Sequence, residues 1–159
     1  MGLRGTEAYE VGAILTAMVF AGGCVSGANF NPAVTLALVI SGGMEVVKAV
    51  RYVGCQLLGA LLAAWTASAL TYKSTNNLLT DSPSWPQLCT VDCHITDFSA
   101  IILEAIAMFA LIWTVLNVAV AKETAGNSFF GFAIGMMVFA LACMFGGLTG
   151  GAFNPAVGS

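Results

Sequence analysis

The chain has 159 residues, 58% of them hydrophobic and only 8% charged, where a soluble domain carries roughly 25% charged residues. So few charges cannot cover the surface of a water-soluble fold, and the chain reads as a membrane protein. The formal net charge of -3 and the lack of any basic stretch exclude nucleic acid and acidic ligands as partners.

A helix that crosses roughly 30 Å of hydrocarbon needs about 20 apolar residues. The first such stretch, residues 9–24, is short and turns Gly-rich near its end. Glu7 and Glu10 precede its apolar core and only Arg4 is positive, which makes it a poor secretory signal. Met1-Gly2-Leu3-Arg4-Gly5-Thr6 fits the N-myristoylation pattern. Chance is the simpler explanation, because one acyl chain adds little to a multi-span protein. Next comes Ser26-Gly27-Ala28-Asn29-Phe30-Asn31-Pro32-Ala33-Val34. Asn is a favoured N-cap and Pro a favoured first helical residue, so Asn31-Pro32-Ala33 starts a helix where a span has just ended. That helix runs to Ser41 and stops at Gly42-Gly43. Its ten or so residues reach roughly 15 Å, half a membrane.

Three more spans follow, at residues 52–72, 98–121 and 128–147. Lipid offers the backbone no partners and strand alternation is absent, so all four are helices. A polar loop, residues 73–97, and the short connector 122–127 separate them. The chain closes on Thr149-Gly150-Gly151-Ala152-Phe153-Asn154-Pro155-Ala156-Val157, a second copy of the motif. Three spans between the copies put them on opposite faces of the membrane, each re-entering toward the midplane, as in inverted-repeat transport proteins. Met18-Val19-Phe20-Ala21 precedes the first motif and Met137-Val138-Phe139-Ala140 the second. That pairing makes the second connection four residues longer and predicts a longer loop at its face. Lys48, Arg51 and Lys122 fall on one side and Arg4 and Lys73 on the other, which favours a cytoplasmic first half-helix. Small residues four apart predict close helix contacts at Gly23 and Gly27, Gly59 and Ala63, Ala63 and Ala67, and above all Gly131 and Gly135.

With these residues in hand the chain resembles the aquaporin, or major intrinsic protein, family. The likeness covers nearly all of it and is carried by Ser26-Gly27-Ala28, Asn31-Pro32-Ala33-Val34-Thr35, Tyr52, Gln56, Gly59-Ala60, Glu104, Ala133-Ile134-Gly135 and Thr149-Gly150. The resemblance implies an all-α membrane fold, an inverted-repeat bundle with re-entrant half-helices. In this chain that amounts to four full spans, one half-helix and the start of a second. It also implies assembly into homo- or hetero-tetramers with related channels, and a pore midplane at Asn31, Pro32, Ala33, Asn154, Pro155 and Ala156. Each half-helix N-terminus carries roughly half a positive charge. Each asparagine can cap its helix through oxygen and turn amide hydrogens to the pore. Water or an alcohol would accept from both, while cations would meet a positive midplane. Glu104, costly inside a span, would accept hydrogen bonds from the backbone of the second loop. No second carboxylate or nucleophile accompanies it, so no acid–base chemistry is expected, and the chain is not read as an enzyme.

The departures from the family pattern shape the rest. The outer constriction falls on Val11, Ala142, Gly151 and Val157. Water-selective members usually carry Arg at the position of Val157, and a His common before the first motif is Asn29 here. A wide, apolar mouth is expected, tolerant of glycerol or urea-like solutes. Nothing corresponds to the family's first and last spans, so residues 1–159 are expected to form a partial channel domain. The leading reading is a passive channel for water and small neutral solutes; the alternative is a truncated, non-conducting subunit that modulates full-length relatives. An ion-coupled transporter lacks intramembrane acid or base pairs beyond Glu104. Cys89, Asp92, Cys93 and His94 have poor zinc spacing, and leave a Cys89–Cys93 disulfide or two free thiols open. Cys24, Cys55 and Cys143 read as packing residues. No cofactor or metal is expected. The protein should be integral and multi-pass, in the plasma membrane or a vacuolar or other organelle membrane.

Overall fold

The structure, a computed structural model, describes residues 5–71 and 95–158. The polar-loop group at Cys89, Asp92, Cys93 and His94 and the Met1–Arg4 end of the acylation pattern lie outside these residues. Five α-helices follow in order: α1, Gly5–Ser26; α2, Pro32–Ile40; α3, Val46–Thr71; α4, Asp97–Val115; and α5, Phe130–Thr149. Four of them are long and apolar enough to cross a membrane. The protein is therefore an all-helical, multi-pass integral membrane protein.

Local chemistry explains the helix ends. α1 starts earlier than its apolar run because Glu7 in the first turn complements the helix dipole. α3 starts at Val46, well before the apolar stretch, and carries Lys48 and Arg51 in its opening turns. Such side chains lay their alkyl stems on the helix and lift the charge to the interface; the Lys48 ammonium lies 5.6 Å from the centre of the Tyr52 ring. α2 begins with Asn31 in extended conformation (φ -136°, ψ 121°), whose side chain accepts from the Ala33 N–H at 2.9 Å. It ends where Gly42 takes φ +76° and the Gly43 and Met44 N–H groups both turn back to Leu38 O. α4 relaxes into a π-helical turn, Leu116–Val120, before the connector.

α1 packs most extensively on α5, which also packs on α4, while α3 is held chiefly by α2. The shared core gathers Ala8, Val19, Ala107, Leu111, Ile134, Val138, Leu141, Ala142 and Phe153. The α1–α5 crossing is set by glycine. A Cβ on Gly135 would lie 1.8 Å from Thr16 Oγ1 and 2.5 Å from Gly12 O, and one on Gly12 would lie 2.7 Å from Gly135 O. A Cβ on Gly131 would enter the Phe20 ring at 2.8 Å. Gly59, by contrast, has nothing within 4 Å, and the α3 membrane stretch is only 6% buried against 39% for α5. Large apolar side chains such as Leu61, Trp65 and Phe98 face outward, as hydrocarbon solvent permits.

One expectation is overturned. α1 ends at Ser26 and α5 at Thr149, and each is followed by four residues, 27–30 and 150–153, before the motif asparagine. The two connections are equal, and the second loop is not longer. The two Met-Val-Phe-Ala segments are a match slipped by four residues. Four residues are about one helical turn, so the slipped segments still occupy the same helix face and present similar residues. The backbone supports the ungapped register: Gly27 (φ +71°) matches Gly150 (φ +84°), and Ala28 (φ +51°) matches Gly151 (φ +69°).

Candidate functional site

The two motif loops meet end to end. The Asn31 side-chain amide donates to Phe153 O at 2.7 Å, and the Asn154 amide donates to Phe30 O at 3.1 Å. Each asparagine oxygen accepts from the alanine of its own motif, Ala33 N–H at 2.9 Å and Ala156 N–H at 3.0 Å. So Asn31 caps the start of α2 with its oxygen, Asn154 uses its oxygen in the turn that follows it, and each clasps the partner loop with nitrogen. The bonded carbonyl belongs in both cases to the Phe just before the other Asn. Such carbonyls lie outside any helix and need a partner when buried. One amide hydrogen on each asparagine is thereby committed to the loop junction rather than turned to a passing solute. Sequence reasoning did not assign Phe30 and Phe153 a part; the signal was the shared Phe-Asn-Pro-Ala of both copies.

The first loop is held by donors on α3. Tyr52 and Gln56, one turn apart, donate to Ser26 O at 3.0 Å and Asn29 O at 2.8 Å. Gln56 also donates to Thr35 Oγ1 at 3.0 Å, and the Asn29 amide to the same oxygen at 2.8 Å. The Thr35 hydroxyl, fully buried, donates to Asn31 O at 3.0 Å. This network fills the hydroxyl's hydrogen-bonding capacity, one donor and two lone pairs. Asn29 Oδ1 is left buried without a hydrogen-bond partner among the described residues.

The second loop is held by an acceptor instead. One Glu104 carboxylate oxygen receives the Thr149 hydroxyl and the other receives the Phe153 N–H at 3.0 Å. Thr149 Oγ1 in turn accepts from Gly151 N–H at 3.2 Å. Phe153 sits at φ +42° with its ring buried. A non-glycine residue in this region costs about 1–3 kcal/mol and persists only where its surroundings hold it there. Here Glu104 grips its N–H and Asn31 its carbonyl.

The other predicted positions are dispersed. Pro32 is the first residue of α2, and Pro155 and Ala156 form a turn in which the Val157 and Gly158 N–H groups return to Asn154 O. Of the four constriction positions, Val157 is 54% exposed and lines a cavity of about 640 Å³ between α3 and the loop ends, with Asn29, Phe30 and Asn154 also in its wall. Ala142 is packed in the core, Val11 is half exposed on α1, and Gly151 is half-buried in the loop. Cys24, Cys55 and Cys143 are free thiols, and all three are exposed rather than packed, which corrects their reading as packing residues. In an apolar solvent an outward thiol carries little cost.

The family model described as Major intrinsic protein matches residues 5–158. Nodulin-26 of Glycine max is 31% identical over 145 residues, covering 91% of this chain and 49% of its own length. Glycerol uptake facilitator protein-like 6 of Lactiplantibacillus plantarum is 32% identical over 149 residues, covering 91% of this chain and 64% of its own. The X-ray structure of the aquaglyceroporin from Plasmodium falciparum superposes with a TM-score of 0.83 at 23% identity, over 98% of this chain and 66% of that one; the fold is shared. The chain thus spans about half to two thirds of the length of these relatives.

Proposed function

The chain belongs to the major intrinsic protein family, and from that premise we propose that it contributes a passive path for water and small neutral solutes across a membrane. The observation that carries the reading is the reciprocal clasp of Asn31 on Phe153 O and Asn154 on Phe30 O. It joins the N-terminus of α2, which carries roughly half a positive charge, to the Asn154–Val157 turn of the second motif. A neutral solute that accepts a hydrogen bond is favoured there and a cation is opposed. Transport follows the osmotic or concentration gradient, with no covalent step and no cofactor.

The solute range is read from the expected constriction positions Val11, Ala142, Gly151 and Val157, of which Val157 lines the cavity while Ala142 is packed in the core. None offers a cation or an aromatic wall, so glycerol and urea-like solutes pass as well as water. Stopped-flow assays on proteoliposomes test this directly. Val157→Arg should lower glycerol permeability roughly tenfold while sparing water, because a charged, hydrated head narrows an apolar mouth. Equal glycerol flux in both proteins would refute the assignment of the constriction. A second reading is a subunit that acts by assembling with related channels, as one member of a tetramer. The sparse burial of α3 favours it, and co-reconstitution with a conducting relative would show it as altered flux without flux of its own. Either role is exercised in the plasma membrane or an organelle membrane.

A further inference from the structure

The two motif asparagines are chemically alike but not equally available. Asn31 is buried, and its amide nitrogen has two partners: Phe153 O at 2.7 Å and the thioether sulfur of Met108 at 3.9 Å. Asn154 is less buried, its amide nitrogen has Phe30 O at 3.1 Å, and the residue borders the 640 Å³ cavity. Both hydrogens of the Asn31 amide are thus engaged, the second by a weak acceptor.

Met108 is held in this place by the same helix that holds the second loop. It lies one turn after Glu104 on α4, so both side chains share a face. Ala107 and Leu111 beside it are core residues, and Met108 itself packs against the core. A closed circuit results. Glu104 accepts from the Phe153 N–H at 3.0 Å, Phe153 O accepts from Asn31 at 2.7 Å, and Asn31 touches Met108 on the helix that began the circuit. Because Glu104 fixes α4 against the loop, Met108 cannot withdraw by moving the helix; it moves only by changing rotamer. Methionine has three rotatable bonds and a polarizable sulfur, which suits a side chain that yields and returns.

We propose that Met108 is a specificity-determining residue that covers the Asn31 amide, so that a solute gains this donor only by displacing the thioether. This rests on the channel reading above. A water molecule is small enough to pair with Asn154 and pass; a polyol, which needs both donors and more room, must push Met108 aside. The sulfur is thereby a soft competitor for the solute's oxygen, and the side chain's volume is a movable partition.

The test uses the full chain with Met108→Leu, which keeps the volume and removes the acceptor, and Met108→Ala, which removes both. Two readouts are taken. The first is the ratio of glycerol to water permeability in proteoliposomes. It should rise in Met108→Leu by roughly two- to tenfold, the weight of one weak hydrogen bond, and by more in Met108→Ala, which also opens the space. The second is the Asn31 side-chain amide in ¹⁵N spectra, assigned by its loss in Asn31→Ala. It should shift, and exchange faster with solvent, in both variants. An unmoved amide resonance overturns the proposal, as does an unchanged permeability ratio in a conducting protein. If the parent chain passes neither water nor glycerol, the channel reading fails on that result. The amide resonance then still decides whether Met108 covers Asn31.

Discussion

Replacing Glu104 separates the contribution of its charge from that of its hydrogen bonds. In the native protein the carboxylate accepts from the Thr149 hydroxyl and from the Phe153 N–H at 3.0 Å. In Glu104→Gln the amide oxygen can keep Phe153 and the amide nitrogen can donate to Thr149. The Thr149 hydroxyl then turns to Phe145 O, already 3.3 Å away, and still accepts from Gly151. Every group remains paired, and only the charge-assisted part is lost, about 1 kcal/mol. In Glu104→Ala no such exchange exists. Thr149 can still use Phe145 O, but the Phe153 N–H is stranded where lipid supplies nothing, and the φ +42° conformation loses one of its two restraints. Two bonds to a charged acceptor and an unsatisfied buried donor together are worth about 3–5 kcal/mol. Thermal unfolding in mixed micelles should show Tm lowered by roughly 6–20 °C for the Ala variant and roughly 2–4 °C for the Gln variant. Equal losses in the two variants would refute the hydrogen-bond exchange. A loss below about 1 kcal/mol in Glu104→Ala would refute the whole account of the second loop.

Further expectations follow from single positions. Gly135→Ala pushes a methyl into Thr16 and the Gly12 carbonyl and should destabilise by about 1–3 kcal/mol or more. Gly59→Ala, made in open space, should cost nothing measurable, and equal effects would discredit the crossing described for α1 and α5. Gln56→Leu strands Asn29 O and should cost about 1–3 kcal/mol; an unchanged Tm would show that α3 does not hold the first loop. Ala28→Gly relieves a residue at φ +51° and should stabilise by about 1 kcal/mol. A lower Tm would mean that the Ala28 methyl contributes more by packing than its backbone costs.

The fold was legible in the sequence because a membrane reduces the choices. With 8% charge and no water for the backbone, each long apolar run had to be a helix, and Asn31-Pro32 and Gly42-Gly43 marked the ends of α2. The repeat register was misread because Met18-Val19-Phe20-Ala21 and Met137-Val138-Phe139-Ala140 differ from the structural match by one turn. A slip of that size leaves the helix face unchanged, so apolar patterning cannot detect it. The glycines that space α1 from α5 were partly legible. The sequence favoured Gly131 with Gly135 over Gly59 with Ala63, and the close approach is found at Gly131 and Gly135 while Gly59 has nothing within 4 Å; the partners, Thr16, Gly12 and Phe20, come only with the structure. At the candidate site, the doubled Phe-Asn-Pro-Ala was visible. The partners of Asn31 were not, since Phe153 and Met108 are distant in the chain and on different elements. Sequence spacing carries no signal for a contact made by a carbonyl and a thioether across a loop junction.

The central claim is that the junction of the two motifs is the path. Its most direct test is the osmotic water permeability of proteoliposomes carrying the native chain, beside the Asn31→Ala/Asn154→Ala double variant at matched protein content. The account predicts faster shrinkage than protein-free vesicles for the native chain and a return to the protein-free rate for the double variant. A native chain no faster than bare lipid, or a double variant as fast as the native chain, would contradict it.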